Sequence, residues 1–316
     1  MQIIVSGSLA YDRIMDFPGK FVDHILPEKI HILNVCFMVN SLTEKFGGTA
    51  GNIAFNLSLL EEQPLILATA GKDFDSYKEW LMQHNLSLEG IRLIPEEFTA
   101  GAYITTDLAD NQITGFNPGA MKYRSLYEFN FASKDESIAI VAPGNLEDML
   151  TYSQGYKEKQ ISYIFDPGQS IPAWSGDRLI EMLTGSSLLI SNDYELELIF
   201  KATGLNYQEI IQRTGALITT LGDRGSMVCV QDEKIEIPAV PATQVIDPTG
   251  AGDGYRAGLL KGLVMGKTLV EAAQMGSTCA SFVVECHGTQ EHRFILEEFW
   301  ERHRVKFALP GGEAAA

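Results

Sequence analysis

The sequence predicts an α/β fold, in which helices cover both faces of a parallel β-sheet and a smaller β structure projects from it. Short β-rich runs alternate with amphipathic helical stretches, which is the order of parallel βα units. The candidate strands are apolar, as expected where both faces of a sheet are buried. Residues 30–45 and 99–117 break the rhythm with alternating polar and apolar residues, which suit extra strands with one exposed face.

The individual elements follow from these patterns. Strands of the main sheet are predicted at residues 2–7, 64–70, 137–142, 161–166, 187–191 and 215–221. Helices are predicted at residues 50–61, 74–84, 145–158, 193–203, 252–265, 268–285 and 292–306. We therefore expect one domain over residues 1–308 with inserted lid segments at 13–45 and 98–122, followed by a disordered tail at 309–316.

The composition argues against several classes of partner and site. The 316 residues carry 24 basic and 41 acidic side chains, a net charge of −17, which argues against nucleic acid and anionic membranes as partners. The four cysteines lack C-x-x-C spacing and the six histidines lack ligand spacing, so neither a disulfide nor a zinc site is expected. The chain begins on a strand and has no apolar run of ~20 residues, so we expect a cytoplasmic protein.

Residues 247–258, Asp-Pro-Thr-Gly-Ala-Gly-Asp-Gly-Tyr-Arg-Ala-Gly, give the strongest functional signal. A turn leads through small residues into a helix. The N–H groups of Gly250, Ala251, Gly252 and Asp253 would point at one spot, where the helix dipole favours an anion such as phosphate. Because a carboxylate repels phosphate, Asp253 is better placed to act on a hydroxyl, kept ionised by the helix N-terminus. The alternative is an acidic helix cap.

Polar residues and glycines also follow other predicted strands. Gly48 permits close approach of a ligand, and Asn52 offers a donor and an acceptor but would also suit a helix cap. Ser8 and Asp12 follow the first strand, where Asp12 could accept hydrogen bonds from vicinal hydroxyls or cap a turn. Gln169 ends an Asp-Pro-Gly-Gln sequence after another strand. Since the carboxyl ends of strands face the ligand crevice in open α/β sheets, these residues are binding candidates.

Two later loops suit a nucleotide. Asn192 follows an apolar strand and Glu195 occupies the third position of the next helix, a spacing that fits a capping box. The same pair could orient water around Mg²⁺. Thr220, Gly222 and Gly225 join two strands, which fits either a hairpin turn or a floor for the ribose and phosphates of a nucleotide.

These motifs occur together in a recognisable order. The chain carries Gly47-Gly48-x-x-x-Asn52, Asn192-x-x-Glu195, Thr220-Leu221-Gly222-x-x-Gly225 and Asp247-x-Thr249-Gly250-Ala251-Gly252-Asp253. In this order they resemble the ribokinase-like (PfkB) family of carbohydrate and nucleoside kinases, over roughly residues 2 to 305. Within the family the chain is most similar to the bacterial adenosine kinases, on motifs that include Gly7-Ser8-x-Ala10-x-Asp12, Phe116-x-Pro118-Gly119-Ala120-Met121 and Gly288-Thr289-Gln290-Glu291.

The resemblance implies a Rossmann-like three-layer α/β/α sandwich with a small β-sheet lid that also pairs protomers as a homodimer. It implies that a nucleoside is held by Ser8, Asp12, Gly48 and Asn52, with Asp12 on the ribose hydroxyls. Phe116 would face the purine, where Gln169 joins it.

The resemblance also implies an ATP site lined by Asn192, Glu195, Thr220, Gly222 and Gly225. ATP would be the co-substrate, and Mg²⁺ would be held through water by Asn192 and Glu195. Many relatives use K⁺ near the anion hole, and Asp247 and Thr249 occupy the matching position.

We therefore predict ATP-dependent phosphorylation of the 5′-hydroxyl of adenosine, with Asp253 as general base and the N–H groups of Gly250 to Asp253 as anion hole. The alternatives are a sugar kinase or a broad-specificity nucleoside kinase of the same family, and a non-catalytic nucleotide-binding protein on the same fold.

The chain departs from its closest relatives at two places. Ala102 stands where they carry a second aromatic residue in the lid, which weakens the case for purine stacking. Gly254 and Tyr255 replace the more usual Ala-Phe after the catalytic acid. Lys122 and Arg124, near the lid, are the candidate cations for the transferring phosphate.

Overall fold

The structure, a computed structural model, describes residues 1–128, 133, 135–231 and 233–307. In chain order the strands are β1 (Gln2–Ser6), β2 (Ala10–Asp16), β3 (Ser41–Gly47), β4 (Leu65–Gly71), β5 (Ile91–Ile94), β6 (Ala100–Thr106), β7 (Gln112–Asn117), β8 (Ser137–Val141), β9 (Ser162–Phe165), β10 (Leu188–Asn192), β11 (Ala216–Thr220), β12 (Ser226–Val230) and β13 (Glu233–Ile237). The helices are α1 (Thr49–Leu59), α2 (Asp75–Gln83), α3 (Leu146–Glu158), α4 (Gly176–Leu183), α5 (Asp193–Thr203), α6 (Tyr207–Thr214), α7 (Ala251–Val264), α8 (Leu269–Val283) and α9 (Leu296–Phe307).

The large sheet has the strand order β13-β12-β11-β10-β9-β8-β1-β4-β5. From β11 to β5 every neighbouring pair is parallel, and β12 and β13 extend the sheet as antiparallel strands. Val5 of β1 lies between Ile66 of β4 and Ile140 of β8 on one face, and Ile4 lies between Leu65 and Ala139 on the other, so the centre of the sheet is apolar on both faces. The carboxyl ends of the parallel strands consequently meet at one edge.

Helices cover both faces of this sheet and confirm the three-layer architecture. One apolar core joins the sheet to α1, α2, α7 and α8, through side chains such as Ile53, Tyr77 and Leu259. The opposite core joins it to α3, α4, α5 and α6, through side chains such as Tyr156 and Leu179. Helix α9 packs outside α8.

The small sheet, with strand order β3-β2-β6-β7, confirms the extra strands. Asp12 of β2 lies opposite Ala102 of β6, and Ala102 lies opposite Phe116 of β7. Because directly opposed residues project from the same face of a sheet, these three side chains form one row. The alternating pattern at 30–45 was only partly informative. A strand begins at Ser41, whereas a 3₁₀ helix occupies Pro27–Ile32.

The predicted βα units are present close to their expected bounds, but several elements were not predicted. Helices α4 and α6 are eight residues long, shorter than the window of about 11–18 residues in which helical periodicity is assessed, and β5 has only four residues. The predicted helix at 292–306 begins only at Leu296, since His292 and Phe294 are buried in an irregular segment. The tail at 309–316 lies outside the described residues. In the described part of the chain, no helix has the length and apolarity needed to cross a membrane.

Candidate active site

The site lies where the carboxyl ends of the central strands meet the start of α7. Gly250 precedes α7 with φ 82°, a left-handed conformation that favours glycine. A Cβ at Gly250 would lie 2.9 Å from Thr289 Cγ2, and one at Gly48 would lie 2.6 Å from the carbonyl oxygen of Ser8. These two glycines therefore permit the close packing of loops that forms the site.

A cavity of about 360 Å³, the lid cavity, lies between the large sheet and the small sheet. Its lining brings together the predicted substrate residues from four separate parts of the chain: Ser8, Asp12, Gly48, Asn52, Phe116 and Gln169. Asp253 and Gly250 also line it. Phe116 is 54 % exposed at the mouth of the cavity. Ser8 is less accessible than expected, because its hydroxyl accepts a hydrogen bond from the N–H of Thr49 at 3.1 Å.

A second cavity of about 400 Å³, the apolar cavity, lies beyond the start of α7. Thr220, Gly222 and Gly225 line one side of it, as expected for the nucleotide loop, and Val240 and Val284 line another. Between the two cavities lies a third space of about 310 Å³, the junction. The junction shares Asp253 with the lid cavity and Thr220 with the apolar cavity, and its other polar lining residues include Asp166, Asn192, Glu195 and Arg256.

Asp253 lies at the meeting point of the lid cavity and the junction. Its Oδ2 accepts a hydrogen bond of 2.8 Å from Asn52 Nδ2. Burial raises the pKa of Asp253 to about 7, although Arg256 and the bond from Asn52 lower it. Loss of water around the carboxylate therefore opposes the helix N-terminus, which we expected to keep this acid ionised. A pKa near neutrality suits a general base.

The predicted anion hole differs from the expectation in one N–H group. The N–H of Ala251 donates to the carbonyl of Pro248 at 3.2 Å and closes the turn before the helix. The first-turn N–H groups of Gly250, Gly252 and Asp253 make no backbone hydrogen bond within the described residues. These three groups, rather than four, are available to an anion at the junction.

The sequence analysis missed the buried ion pair of Arg256 and Asp166. Arg256 Nη2 lies 2.7 Å from Asp166 Oδ1, Arg256 Nε bonds the other carboxylate oxygen, and Nη1 donates to the carbonyl of Gly252 at 2.9 Å. Both side chains are almost fully buried. The ion pair could have been predicted from the basic residue Arg256 within an apolar helix, because a buried basic residue needs a buried partner.

Asn192 and Glu195 form a capping box, which was one of the two interpretations of their spacing in the sequence. Asn192 Oδ1 accepts from the N–H of Glu195 at 2.7 Å, and Glu195 Oε2 accepts from the N–H of Asn192 at 2.9 Å. Both residues also line the junction. Burial raises the pKa of Glu195 above its ordinary value. Glu195 Oε1 makes no hydrogen bond within the described residues, so one carboxylate oxygen is available to a ligand.

Asp247 and Asp12 are two acids near the lid cavity. Burial raises the pKa of Asp12, and the charge of Asp247 adds to that effect. Asp247 accepts hydrogen bonds from the N–H groups of Thr249, at 2.9 Å, and Gly288, at 3.1 Å. Burial acts to raise the pKa of Asp247, but these hydrogen bonds outweigh burial and hold the pKa below its ordinary value.

The two candidate cations near the lid are not at the junction. Lys122 Nζ lies 3.7 Å from Glu97, and Arg124 Nε lies 3.3 Å from Asp148. Neither residue lines the lid cavity, the apolar cavity or the junction. The expectation for Lys122 and Arg124 is therefore wrong, and Arg256 is the cation that the structure places beside Asp253.

Comparisons with known proteins indicate the family of the chain. The profile of the pfkB family carbohydrate kinases matches residues 19–293. The nucleoside kinase of Methanocaldococcus jannaschii is 35% identical over 285 residues, which cover 88% of this chain and 93% of that protein. Its crystal structure, described as an archaeal member of the ribokinase family, has a TM-score of 0.86, with 33% identity, and covers 96% of this chain and 99% of that one. The nucleoside kinase of Burkholderia thailandensis in complex with inosine has a TM-score of 0.85 and 36% identity, and covers 97% of this chain and 98% of that one.

Proposed function

The chain belongs to the pfkB family of carbohydrate kinases, and from that premise we propose that it transfers the γ-phosphoryl group of ATP to the 5′-hydroxyl of a nucleoside, with adenosine as the acceptor. The family makes it a phosphotransferase that acts on an alcohol. The observation that carries the proposal is the position of Asp253, which lines both the lid cavity and the junction. A hydroxyl in the lid cavity can therefore meet a phosphate in the junction beside a base.

The lid cavity has the groups that a nucleoside needs. The carboxylate of Asp12 makes no hydrogen bond within the described residues, so it can accept bonds from the two ribose hydroxyls. Phe116 projects from β7 in the same row as Asp12 and offers a face for the base. Gln169 carries both a donor and an acceptor. A cavity of about 360 Å³ is within the range of small-molecule sites.

Phosphoryl transfer in this geometry is a single displacement. The 5′-oxygen forms a bond to the γ-phosphorus as the bond from phosphorus to the β,γ-bridging oxygen breaks, which gives ADP and the nucleoside monophosphate. Asp253 accepts the hydroxyl proton on Oδ1, since Asn52 occupies Oδ2. The N–H groups of Gly250, Gly252 and Asp253 stabilise charge on the equatorial oxygens.

The apolar cavity would take the adenine of ATP, and its phosphates would reach the junction past Thr220 and Gly222. The donor set of the junction fits Mg²⁺, because Glu195 offers one unbonded carboxylate oxygen and Mg²⁺ usually keeps several waters. When bound, the ion would neutralise phosphate charge, with Glu195 and Asn192 holding its water. K⁺ beside Asp247 and Thr249 stays a prediction of the family resemblance.

A broad-specificity nucleoside kinase is the second candidate, and Ala102 favours it. Its small side chain lies between Asp12 and Phe116 in the row that faces the cavity, so Phe116 alone supplies aromatic contact from that row. The Gln169 amide can present either a donor or an acceptor to a base. The relative from Burkholderia thailandensis binds inosine, whose 6-oxo group differs from the 6-amino group of adenosine.

We also propose that the protein works as a cytoplasmic homodimer paired through the small sheet. Strand β3 and the segment leading to it expose large apolar side chains, including Ile30 (65 %), Met38 (85 %) and Leu42 (64 %), and a monomer seldom exposes so many together. Light scattering at several protein concentrations tests the assembly. A purely monomeric protein that retains full kinase activity would contradict the proposed dimer.

The proposed function is tested by ADP release with adenosine, inosine, cytidine, ribose and fructose as acceptors. Preference for adenosine supports the specific proposal, and similar kcat/KM values for several nucleosides support the second candidate. A preference for ribose or fructose would overturn the nucleoside assignment and leave the kinase assignment intact.

A further inference from the structure

We infer that Gln290 is a positioning residue of phosphoryl transfer, which fixes the amide of Asn52 in the orientation that donates a hydrogen bond to Asp253. The inference rests on the proposed role of Asp253 as base. Gln290 lies in the irregular segment before α9 and touches neither the lid cavity nor the junction. Its hydrogen bond to Asn52, which lines the lid cavity, connects it to the reaction.

A continuous chain of hydrogen bonds joins Trp80 of α2 to the carboxylate of Asp253. Trp80 Nε1 donates to Gln290 Oε1 at 2.9 Å, and Gln290 Nε2 donates to Asn52 Oδ1 at 3.0 Å. Asn52 Nδ2 then donates to Asp253 Oδ2 at 2.8 Å. Gln290 and Asn52 are 1 % and 5 % exposed, so water cannot readily replace a bond that is lost.

The direction of these hydrogen bonds is set by Trp80, at the end of the chain farthest from Asp253. An indole N–H can only donate, so Trp80 requires the oxygen of the Gln290 amide on its side. The nitrogen of Gln290 must then face Asn52 and Tyr77, whose hydroxyl lies 2.7 Å away and itself donates to the carbonyl of Gly47 at 2.7 Å. With a donor facing it, Asn52 presents its oxygen to Gln290 and its nitrogen to Asp253.

The orientation of Asn52 matters because the opposite one would place an amide oxygen against the carboxylate. Asp253 already faces the acids Asp166 and Glu195, with Arg256 as an opposing cation. The bond from Asn52 favours the ionised form of Asp253 and leaves Oδ1 for the hydroxyl proton. Hydrogen bonds that point the same way also polarise one another, so the indole of Trp80 reinforces donation to the base.

The test compares Gln290→Met with wild type across pH. Methionine keeps most of the volume but neither accepts from Trp80 nor donates to Asn52. We expect kcat to fall about tenfold or more, since hydrogen bonds to charged groups are among the strong ones. The acid limb of the kcat profile should move up by about one pH unit, and the KM for ATP should stay within about twofold. Trp80→Phe keeps the ring packing and should move the acid limb in the same direction by less.

Thr214→Val is the matched control, because Thr214 is fully buried and its hydroxyl is bonded to the carbonyls of Ile210 and Ala216. Thr214 does not line the lid cavity, the apolar cavity or the junction. The substitution should lower the Tm without moving kcat or the acid limb. Wild-type kcat and an unmoved acid limb in Gln290→Met would overturn the inference, and Trp80→Phe gives the same decision if Gln290→Met does not fold. A wild-type protein without nucleoside kinase activity, or a fully active Asp253→Asn variant, would instead defeat the proposed function.

Discussion

The buried guanidinium of Arg256 lies against the buried carboxylate of Asp166. Arg256 is on α7, one helical turn beyond Asp253. The pair places a positive charge beside the proposed base without leaving that charge unpaired. Arg256 lowers the pKa of Asp253 and Asp166 raises it, so the pair moderates the effect of burial on the base. The same two residues join α7 to the end of β9 and so fix the helix N-terminus at the junction.

Arg256→Met should destabilise the protein strongly. Removal of one partner leaves the Asp166 carboxylate buried without a cation, which typically costs about 3–5 kcal/mol. Urea unfolding at pH 8 measures the free energy of unfolding. The matched control is Arg178→Met, which breaks the exposed pair of Arg178 and Glu181 at 2.6 Å and should cost no more than about 1 kcal/mol. Equal losses in the two variants would show that the buried pair has no special role.

The activity should depend on pH near neutrality. Burial raises the pKa of Asp253 to about 7, and the proton acceptor must be ionised, so kcat/KM for the nucleoside should fall tenfold per pH unit below about pH 7. Direct ADP detection between pH 5.5 and 9 measures this limb, with the Tm recorded at each pH. A profile that stays flat down to pH 5.5 would contradict a raised pKa at the base.

The same shift predicts a change in stability with pH. The folded pKa of Asp253 lies above the ordinary 3.8, so the folded state binds a proton that the unfolded state has released. This contribution to the free energy of unfolding is fully present below about pH 4 and is lost as pH rises to about 7. Asp253→Asn should remove it and melt no lower than wild type at pH 8. A variant that melts well below wild type there would argue against a raised pKa.

Glu195→Gln should raise the Mg²⁺ concentration needed for half-maximal activity while the Tm stays nearly unchanged. Glutamine can still accept the capping hydrogen bond from Asn192, but the variant lacks the charge that would hold the water around Mg²⁺. Glu209→Gln is the matched control, because Asn206 and Glu209 form the same capping box in an exposed position at the start of α6. An identical Mg²⁺ titration for wild type and Glu195→Gln would leave Glu195 with the capping role alone.

Phe116→Ala should raise the KM for adenosine more than the KM for ATP. An aromatic stacking contact contributes ~0.5–1.5 kcal/mol beyond burial of area, or about two- to twelvefold in affinity. Ala102→Phe, which adds a ring to the same row, should favour purine over pyrimidine nucleosides. Unchanged nucleoside selectivity in both variants would show that this row does not contact the base.

The sequence could predict the layers and the loops of the site because both depend on local patterns. Apolar strands followed by amphipathic helices predicted the central sheet, and glycines with polar residues after strands predicted the lining of the lid cavity. The order of the strands was less accessible, since β1 lies between β4 and β8 and local periodicity does not specify which strands pair.

The residues that the sequence analysis missed act through long-range contacts. Gln290 lies 238 positions from Asn52, and Arg256 lies 90 positions from Asp166. Burial, which arises from several distant segments, raises the pKa of Asp253, whereas the helix N-terminus that the sequence predicted is a local feature. For Asn192 and Glu195, the spacing fitted two roles, and the structure shows that the capping box and the junction use the same side chains.

The most direct test of the account is the turnover of Asp253→Asn with ATP and adenosine. Asparagine keeps the shape of the side chain but cannot accept the 5′-hydroxyl proton, and loss of a general base typically costs 10²–10⁴-fold, or ~2.7–5.5 kcal/mol of barrier. We expect kcat to fall at least about a hundredfold, with the affinities for ATP and adenosine within a few-fold of wild type. A variant that keeps roughly half of the wild-type turnover would show that Asp253 is not the base.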